Sequence, residues 1–143
     1  MERYKKLEDQ LNHHEGRKKK VYRCSAGYLT IGVGRNLEDR GLSEDEITYL
    51  LKNDVKTEVA ALTRNLPFFP SLNEARQDAF INLSFNMGIT RLLGFKKTIA
   101  LAAQGKWNEC ADELLDSKWA RSDVAEWRSK EVSEQIRTGR YKT

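Results

Sequence analysis

The sequence predicts an α+β chain that is mostly helical, with one β-hairpin set among its helices. Three observations carry this. Apolar residues recur at helical spacing in several separate stretches; residues 21–33 mix β-branched and aromatic residues around a small turn; and both prolines fall together in Leu66-Pro67-Phe68-Phe69-Pro70. A length of 143 residues suits one domain with a real core, and 39% hydrophobic with 32% charged residues describes a folded chain.

Tyr4, Leu7 and Leu11, with charges between them, predict an amphipathic helix over residues 2–13, and Gly16 suits its stop. The basic run Arg17 to Lys20 reads as a solvated turn. Tyr22 to Val33 reads as a hairpin turning at Ser25-Ala26-Gly27, where Gly27 can take a positive φ. Arg35 to Gly41 is polar and reads as a loop.

Ser43 and Glu46 have the spacing of a capping box, with Leu42 placed to staple against Ile47. The apolar line Ile47, Leu50, Leu51, Val55, Val59 and Leu62 then predicts a long helix ending near Asn65. After the proline segment Asn73 caps the next helix, which carries Ala75, Ala79, Phe80, Leu83 and Met87 and stops at Gly88. Ile81 and Phe85 make it apolar over much of its girth, which predicts the central buried helix. Shorter helices follow over about 90–93, 96–104, 107–118 and 123–137, the last stopped by Gly139.

The bulk numbers exclude some classes. No run approaches the roughly 18 apolar residues of a membrane span. The first ten residues show no apolar core behind their basic residues, so no signal peptide is read and the chain is expected to begin in the cytoplasm. Two cysteines, Cys24 and Cys110, are too few for a disulfide scaffold and are expected as free thiols. A net charge of +4 and a pI near 9.1 favour anionic polymers such as cell wall, outer leaflet or nucleic acid, though solubility explains them equally well.

The chemistry gathers between His13 and Gly34. Glu15 lies at the end of a predicted helix, Cys24 nine positions on, and Thr30 six beyond that. A hairpin over 21–33 lets Cys24 and Thr30 both face the helix end that carries Glu15. Glycosidic cleavage needs a carboxyl that donates a proton to the leaving oxygen. On the other face of the sugar it needs a group that activates water or attacks carbon, most often a second carboxylate. Cys24 stands where that carboxylate would be, and a partly ionised thiol can act as base or nucleophile. Arg17 to Lys20 and Arg23 would help to lower its pKa, and the Thr30 hydroxyl can hold a water.

Here the sequence resembles a known family. His-Glu-Gly, Val-Tyr-Arg-Cys and Gly-Tyr-Leu-Thr-Ile-Gly-Val-Gly are similar to the active-site segment of the phage-type lysozymes, the small endolysins of bacteriophages. Their pattern is a Glu, eight residues, an Asp or Cys, five residues and a Thr, and Glu15, Cys24 and Thr30 fall on it. Phe85-Asn86-Met87-Gly88, Gly94-Phe95, Trp107, Lys118-Trp119 and Ile136-Arg137-Thr138-Gly139 resemble later landmarks in the same order.

The resemblance implies a lysozyme-like fold in two lobes joined by the long helix. The small lobe would cover about residues 13–60, and the large lobe about 1–12 with 61–143. It also implies cleavage of peptidoglycan between N-acetylmuramic acid and N-acetylglucosamine, with Glu15 as acid and Cys24 and Thr30 acting on the water. Arg137 matches an arginine that reaches back to the glutamate, a pair that burial of Glu15 must oppose if the acid is to donate. Asn86 matches a polar cleft position, and Tyr22 and Tyr28 are further candidates for the cleft. No metal or cofactor is expected. The expected partners are the peptidoglycan substrate and a membrane-permeabilising holin, the chain being a monomer held in the host cytoplasm until lysis, with no nucleic acid bound.

Two departures stand out. Cys24 takes a place more often held by aspartate, and Arg35 stands where some members carry a histidine, which predicts a pair with Asp54. The short segment Arg35 to Gly41 predicts a reduced sheet. Taken singly, Glu15 reads as a solvated charge, Cys24 as a small buried residue and Thr30 as a strand former; only their joint spacing favours catalysis. Cys110 reads as core. His13-His14 lacks partners at metal-ligand spacing, and Gly32-Val33-Gly34 is too short for a dinucleotide motif. Trp107, Trp119 and Trp127 read as core or lobe-interface anchors, and Arg128 to Lys142 as a solvated face that could contact an anionic membrane. The missing second carboxylate keeps a lytic transglycosylase in view. A small basic helical protein binding nucleic acid is the reading from another class.

Overall fold

A computed structural model describes residues 2–143. The order of elements is a 3-10 turn at Glu2–Tyr4, α1 (Lys5–Glu15), β1 (Lys18–Arg23), β2 (Leu29–Gly32), β3 (Arg35–Asn36), α2 (Glu44–Asn65), α3 (Glu74–Met87), α4 (Ile89–Leu93), α5 (Lys96–Ala103), α6 (Trp107–Leu115) and α7 (Glu126–Thr138). The architecture is α+β and mostly helical. The chain divides into two compact units, Met1–Leu50 and Leu51–Thr143, with α2 running through the division.

The first unit holds the sheet, antiparallel in the order β1-β2-β3. Lys18 pairs with Gly32, Tyr22 with Thr30 and Arg23 with Leu29, with an irregularity between Lys18 and Tyr22; Thr30 pairs in turn with Asn36. The basic run is therefore strand and not turn from Lys18 on. Lysines can ride an exposed strand because their charges stay in water while the backbone pairs with β2. The reduced sheet takes the form of a two-residue β3 inside the segment read as loop. Among the described residues of this unit only Thr30 is buried.

The capping box forms as written: Ser43 N–H donates to Glu46 Oε1 at 2.8 Å and Glu46 N–H to Ser43 Oγ at 3.3 Å. Arg35 corrects an expectation. It pairs with Glu46 and not Asp54, through Nη1 at 2.8 Å and Nη2 at 2.7 Å, while Nη1 also donates to the Gly41 carbonyl at 3.0 Å. A bidentate fork on a carboxylate already fixed by its cap is the more pre-organised of the two choices.

The second unit carries the core. Leu62, Leu66, Phe69, Phe80, Leu83, Leu92, Leu114, Trp119, Val132 and Ile136 pack together with α3 at the centre. Asn73 caps α3 by accepting from Arg76 N–H at 3.0 Å. Phe85 differs from expectation and is 44% exposed, so α3 is buried on most but not all sides. Along α2 only Ala61 and Leu62 are buried, whereas Ile47, Leu50 and Leu51 are exposed. The stretch read as the end of the 107–118 helix stops at Leu115, and Trp119–Asp123 winds as a π-helical turn before α7.

Candidate active site

Glu15 is the last residue of α1. Gly16 ends the helix with φ +77°, and its N–H returns to Asn12 O at 2.9 Å. The Glu15 carboxylate lies against Gly34, in the turn between β2 and β3. A methyl group on Gly34 would stand 2.9 Å from Glu15 Oε2 and 3.2 Å from Cδ. Only a residue without a side chain leaves the carboxylate where it is. Gly34 therefore leaves room for the Glu15 carboxylate, and its place closing the Thr30-Ile31-Gly32-Val33-Gly34 run is the mark it leaves in the sequence. Glu15 is exposed, so the expected burial is not what holds it.

Cys24 opens the turn between β1 and β2. Its N–H donates to Tyr28 O at 3.0 Å, and its carbonyl accepts from Gly27 N–H at 2.8 Å. Gly27, at φ +87°, supplies the left-handed residue that a three-residue hairpin turn requires. This closure turns backbone N–H groups toward the sulfur. The Cys24 thiol is held below its ordinary pKa, most strongly by Tyr28 N–H, then by Ala26 N–H, with smaller help from the Thr30 hydroxyl and Gly27 N–H against a desolvation cost. The basic residues expected to do this are not the cause; hydrogen bonding to the anion is.

Thr30 is 3% exposed in the middle of β2, and its hydroxyl donates to Tyr28 O at 2.8 Å. The hydroxyl has one proton, so it serves either this carbonyl or the Cys24 thiolate at a time, while its oxygen can accept. Since Tyr22, Thr30 and Asn36 are paired across the three strands, their side chains share one face. Cys24 follows two residues after Tyr22 and continues that side. Tyr22 is half-buried and Tyr28 49% exposed. One unit thus presents an acid, a polarised thiol and a hydroxyl.

The other candidates lie in the second unit. Arg137, read as reaching back to Glu15, uses its donors there: Nε to Glu134 at 2.7 Å, Nη2 to Asp112 at 2.7 Å and Nη1 to Asn108 O at 3.2 Å. It clamps α7 to α6. Asn86 Oδ1 accepts from the Trp119 indole at 2.7 Å, which points its NH2 elsewhere as a donor. Cys110 is fully buried, with Sγ donating to Thr98 O at 3.4 Å, and burial pushes its pKa up to about 11. Among the described residues no group of three or more His, Cys, Asp or Glu side chains gathers as a metal site. No helix among them is long and apolar enough to cross a membrane.

Residues 12–135 match the family described as phage lysozyme. The chain belongs to the phage lysozyme family. Its relatives include the "Probable T4-type lysozyme 1" of Dictyostelium discoideum, 28% identical over 93% of this chain and 94% of that protein. The "Probable T4-type lysozyme 2" of the same organism is 25% identical over 79% of this chain and 84% of that one. The "Pre-baseplate central spike protein Gp5" of Enterobacteria phage T4 is 22% identical over 79% of this chain, which corresponds to 24% of the spike protein. Membership of the phage lysozyme family makes this chain a glycoside hydrolase of lysozyme type acting on peptidoglycan. The matched span takes in Glu15, Cys24, Thr30 and Asn86, and stops two residues short of Arg137.

Proposed function

We propose that the protein is an endolysin. It hydrolyses the β-1,4 bond from N-acetylmuramic acid to N-acetylglucosamine and opens the host wall at the end of a phage cycle. Glu15 is the general acid that protonates the leaving oxygen. Cys24, as thiolate, takes the proton of the attacking water or attacks the sugar itself, and Thr30 accepts a hydrogen bond from that water. Tyr22 and Tyr28 contact the saccharide beside these groups; in the second unit Asn86 offers its NH2 to a sugar, and Arg137 fixes α7 on α6. The observation that carries this reading is the hydrogen-bonded, pKa-lowered Cys24 at the spacing from Glu15 where the family's second catalytic group stands.

In this reading the enzyme works as a monomer without cofactor. It stays in the host cytoplasm until a holin opens the membrane. Glu15→Gln should lower the rate of wall lysis by about 10²–10⁴-fold with the melting temperature unchanged, because the side chain is exposed. Retained lysis would remove Glu15 from the mechanism. Mass spectrometry of the fragments separates this from the second reading, a lytic transglycosylase, which the absence of a second carboxylate at Cys24 keeps open. Reducing ends support hydrolysis; anhydro-muramic ends support the transglycosylase.

A further inference from the structure

The three tryptophans differ in exposure. Trp119 is 1% exposed and Trp107 is half-buried under Arg76, whereas Trp127 is 69% exposed. Trp127 stands in the first turn of α7, on the wall of a groove of about 750 Å³ between that helix and the residues following it. Tyr141 forms the facing wall and is 49% exposed. From Trp127 to Thr138 the helix spans about 16 Å, long enough for more than one sugar ring.

The facing wall is built and not merely adjacent. Gly139 ends α7 at φ +69°, and its carbonyl accepts from Asn73 Nδ2 at 2.9 Å. Arg76 donates to Ile136 O at 2.7 Å and to Arg137 O at 3.0 Å. The Tyr141 hydroxyl donates to Asp78, which holds the ring in place before any ligand arrives. The groove shares no residue with Glu15, Cys24 and Thr30.

We infer that this groove is a second, non-catalytic site that holds an uncleaved strand of peptidoglycan; the inference rests on peptidoglycan being the substrate. A pyranose has an apolar face of C–H groups and a rim of hydroxyls. An exposed aromatic ring covers the first, and charged side chains hydrogen-bond the second. The groove has both signs of charge close to its rings: Glu131 faces Lys142 at 3.8 Å, and Lys130 faces Glu126 at 3.0 Å. Arg140 adds a cation for the carboxylates of muramyl peptide stems. Glu131 and Glu134 line the groove beside Lys130, Arg140 and Lys142, a mixed set that suits a hydroxyl-rich strand with scattered carboxylates better than the unbroken basic face an anionic lipid surface or a nucleic acid would favour.

The test uses the full chain with Glu15→Gln to stop turnover. Calorimetric titration with short, soluble, uncross-linked glycan–peptide fragments should give two bound per chain, and one after Trp127→Ala. Retention on insoluble sacculi should fall about tenfold with Trp127→Ala or Tyr141→Ala and return with Trp127→Tyr. A stoichiometry of one in both proteins, or unchanged retention, overturns the site. Trp127-dependent retention on phosphatidylglycerol vesicles, with retention on sacculi unaffected, also overturns it and assigns the groove to a lipid surface. A separate arm measures saccharide release from sacculi by the unsubstituted chain; no release would remove the substrate assignment itself, whatever the groove binds.

Discussion

Gly34 and Gly32 form a matched pair. Both take the left-handed backbone, at φ +69° and +68°, so an alanine at either is strained by about 1–2 kcal/mol. Around Gly32 a new methyl group meets nothing within 4 Å, but at Gly34 it meets the catalytic candidate's carboxylate. Because Glu15 is an exposed, flexible side chain, it can move aside at little cost to stability. Gly32→Ala and Gly34→Ala should therefore melt at similar temperatures. Only Gly34→Ala should lose kcat, by about a hundredfold for an acid displaced by about 1 Å; equal activities would show that the contact does not position Glu15.

The two thiols make a second pair at this scale. Cys24 should ionise below the ordinary 9.0 and Cys110 near 11. Thiolate absorbance followed against pH should show two separate steps, with Cys24→Ser removing the lower one. For Cys24 the folded state favours the anion, so its contribution to stability is fully present above the unfolded thiol's pKa and is lost as pH falls through the folded value. Wall lysis should fall over the same acid limb if the thiolate is the working form. A single step near 9.0 would sink the assignment.

At the scale of elements, the joint between β3 and α2 rests on one carboxylate. Glu46 accepts from Arg35 and from Ser43 N–H, and these bonds, the Arg35 pair first, hold its pKa down to about 2. Its contribution is fully present above the unfolded value near 4.5 and is lost as pH falls toward 2. Glu46→Gln should thus lower the melting temperature at neutral pH and make little difference at the acid end; the same offset at both would contradict the pairing. Ser43→Ala removes the reciprocal cap and should cost about 1 kcal/mol, read by urea denaturation. Asp54→Asn is the matching control and should leave the joint intact, because Arg35 turns to Glu46 instead.

For the whole molecule, burial is uneven. Thr30 is the one buried residue described before Leu51, whereas the second unit gathers the aliphatic and aromatic core around α3. Backbone amides of β1 to β3 should accordingly exchange with solvent by smaller openings than those of α3, α6 and α7, which should approach the global unfolding free energy. Exchange followed by mass spectrometry would refute this if both units protected their amides equally. Leu114, fully buried in α6, should cost about 2–5 kcal/mol on truncation to alanine, a loss seen as a lower denaturation midpoint.

The candidate pattern of Glu15, Cys24 and Thr30 and most element boundaries are local features of the chain, because caps, glycine stops and residue spacing act over a few residues. Ser43 with Glu46, Asn73, Gly88 and Gly139 mark helix ends through bonds to neighbours a few residues away. Glu15, Cys24 and Thr30 likewise form a pattern along the chain. What the tertiary structure decided depends on residues distant in sequence. Lys18 to Lys20 became strand because β2 offered a ladder, Arg35 chose Glu46 over Asp54 by geometry, and Arg137 found Asp112 on another helix. Exposure is the least legible property of all. Trp119 and Trp127 are the same residue type eight positions apart, and only packing against Asn86 and the core buries one and leaves the other in water. The stretch from His13 to Gly34 carries its chemistry in its order, but the contact of Gly34 on the Glu15 carboxylate exists only once the sheet has brought the two ends of that stretch together.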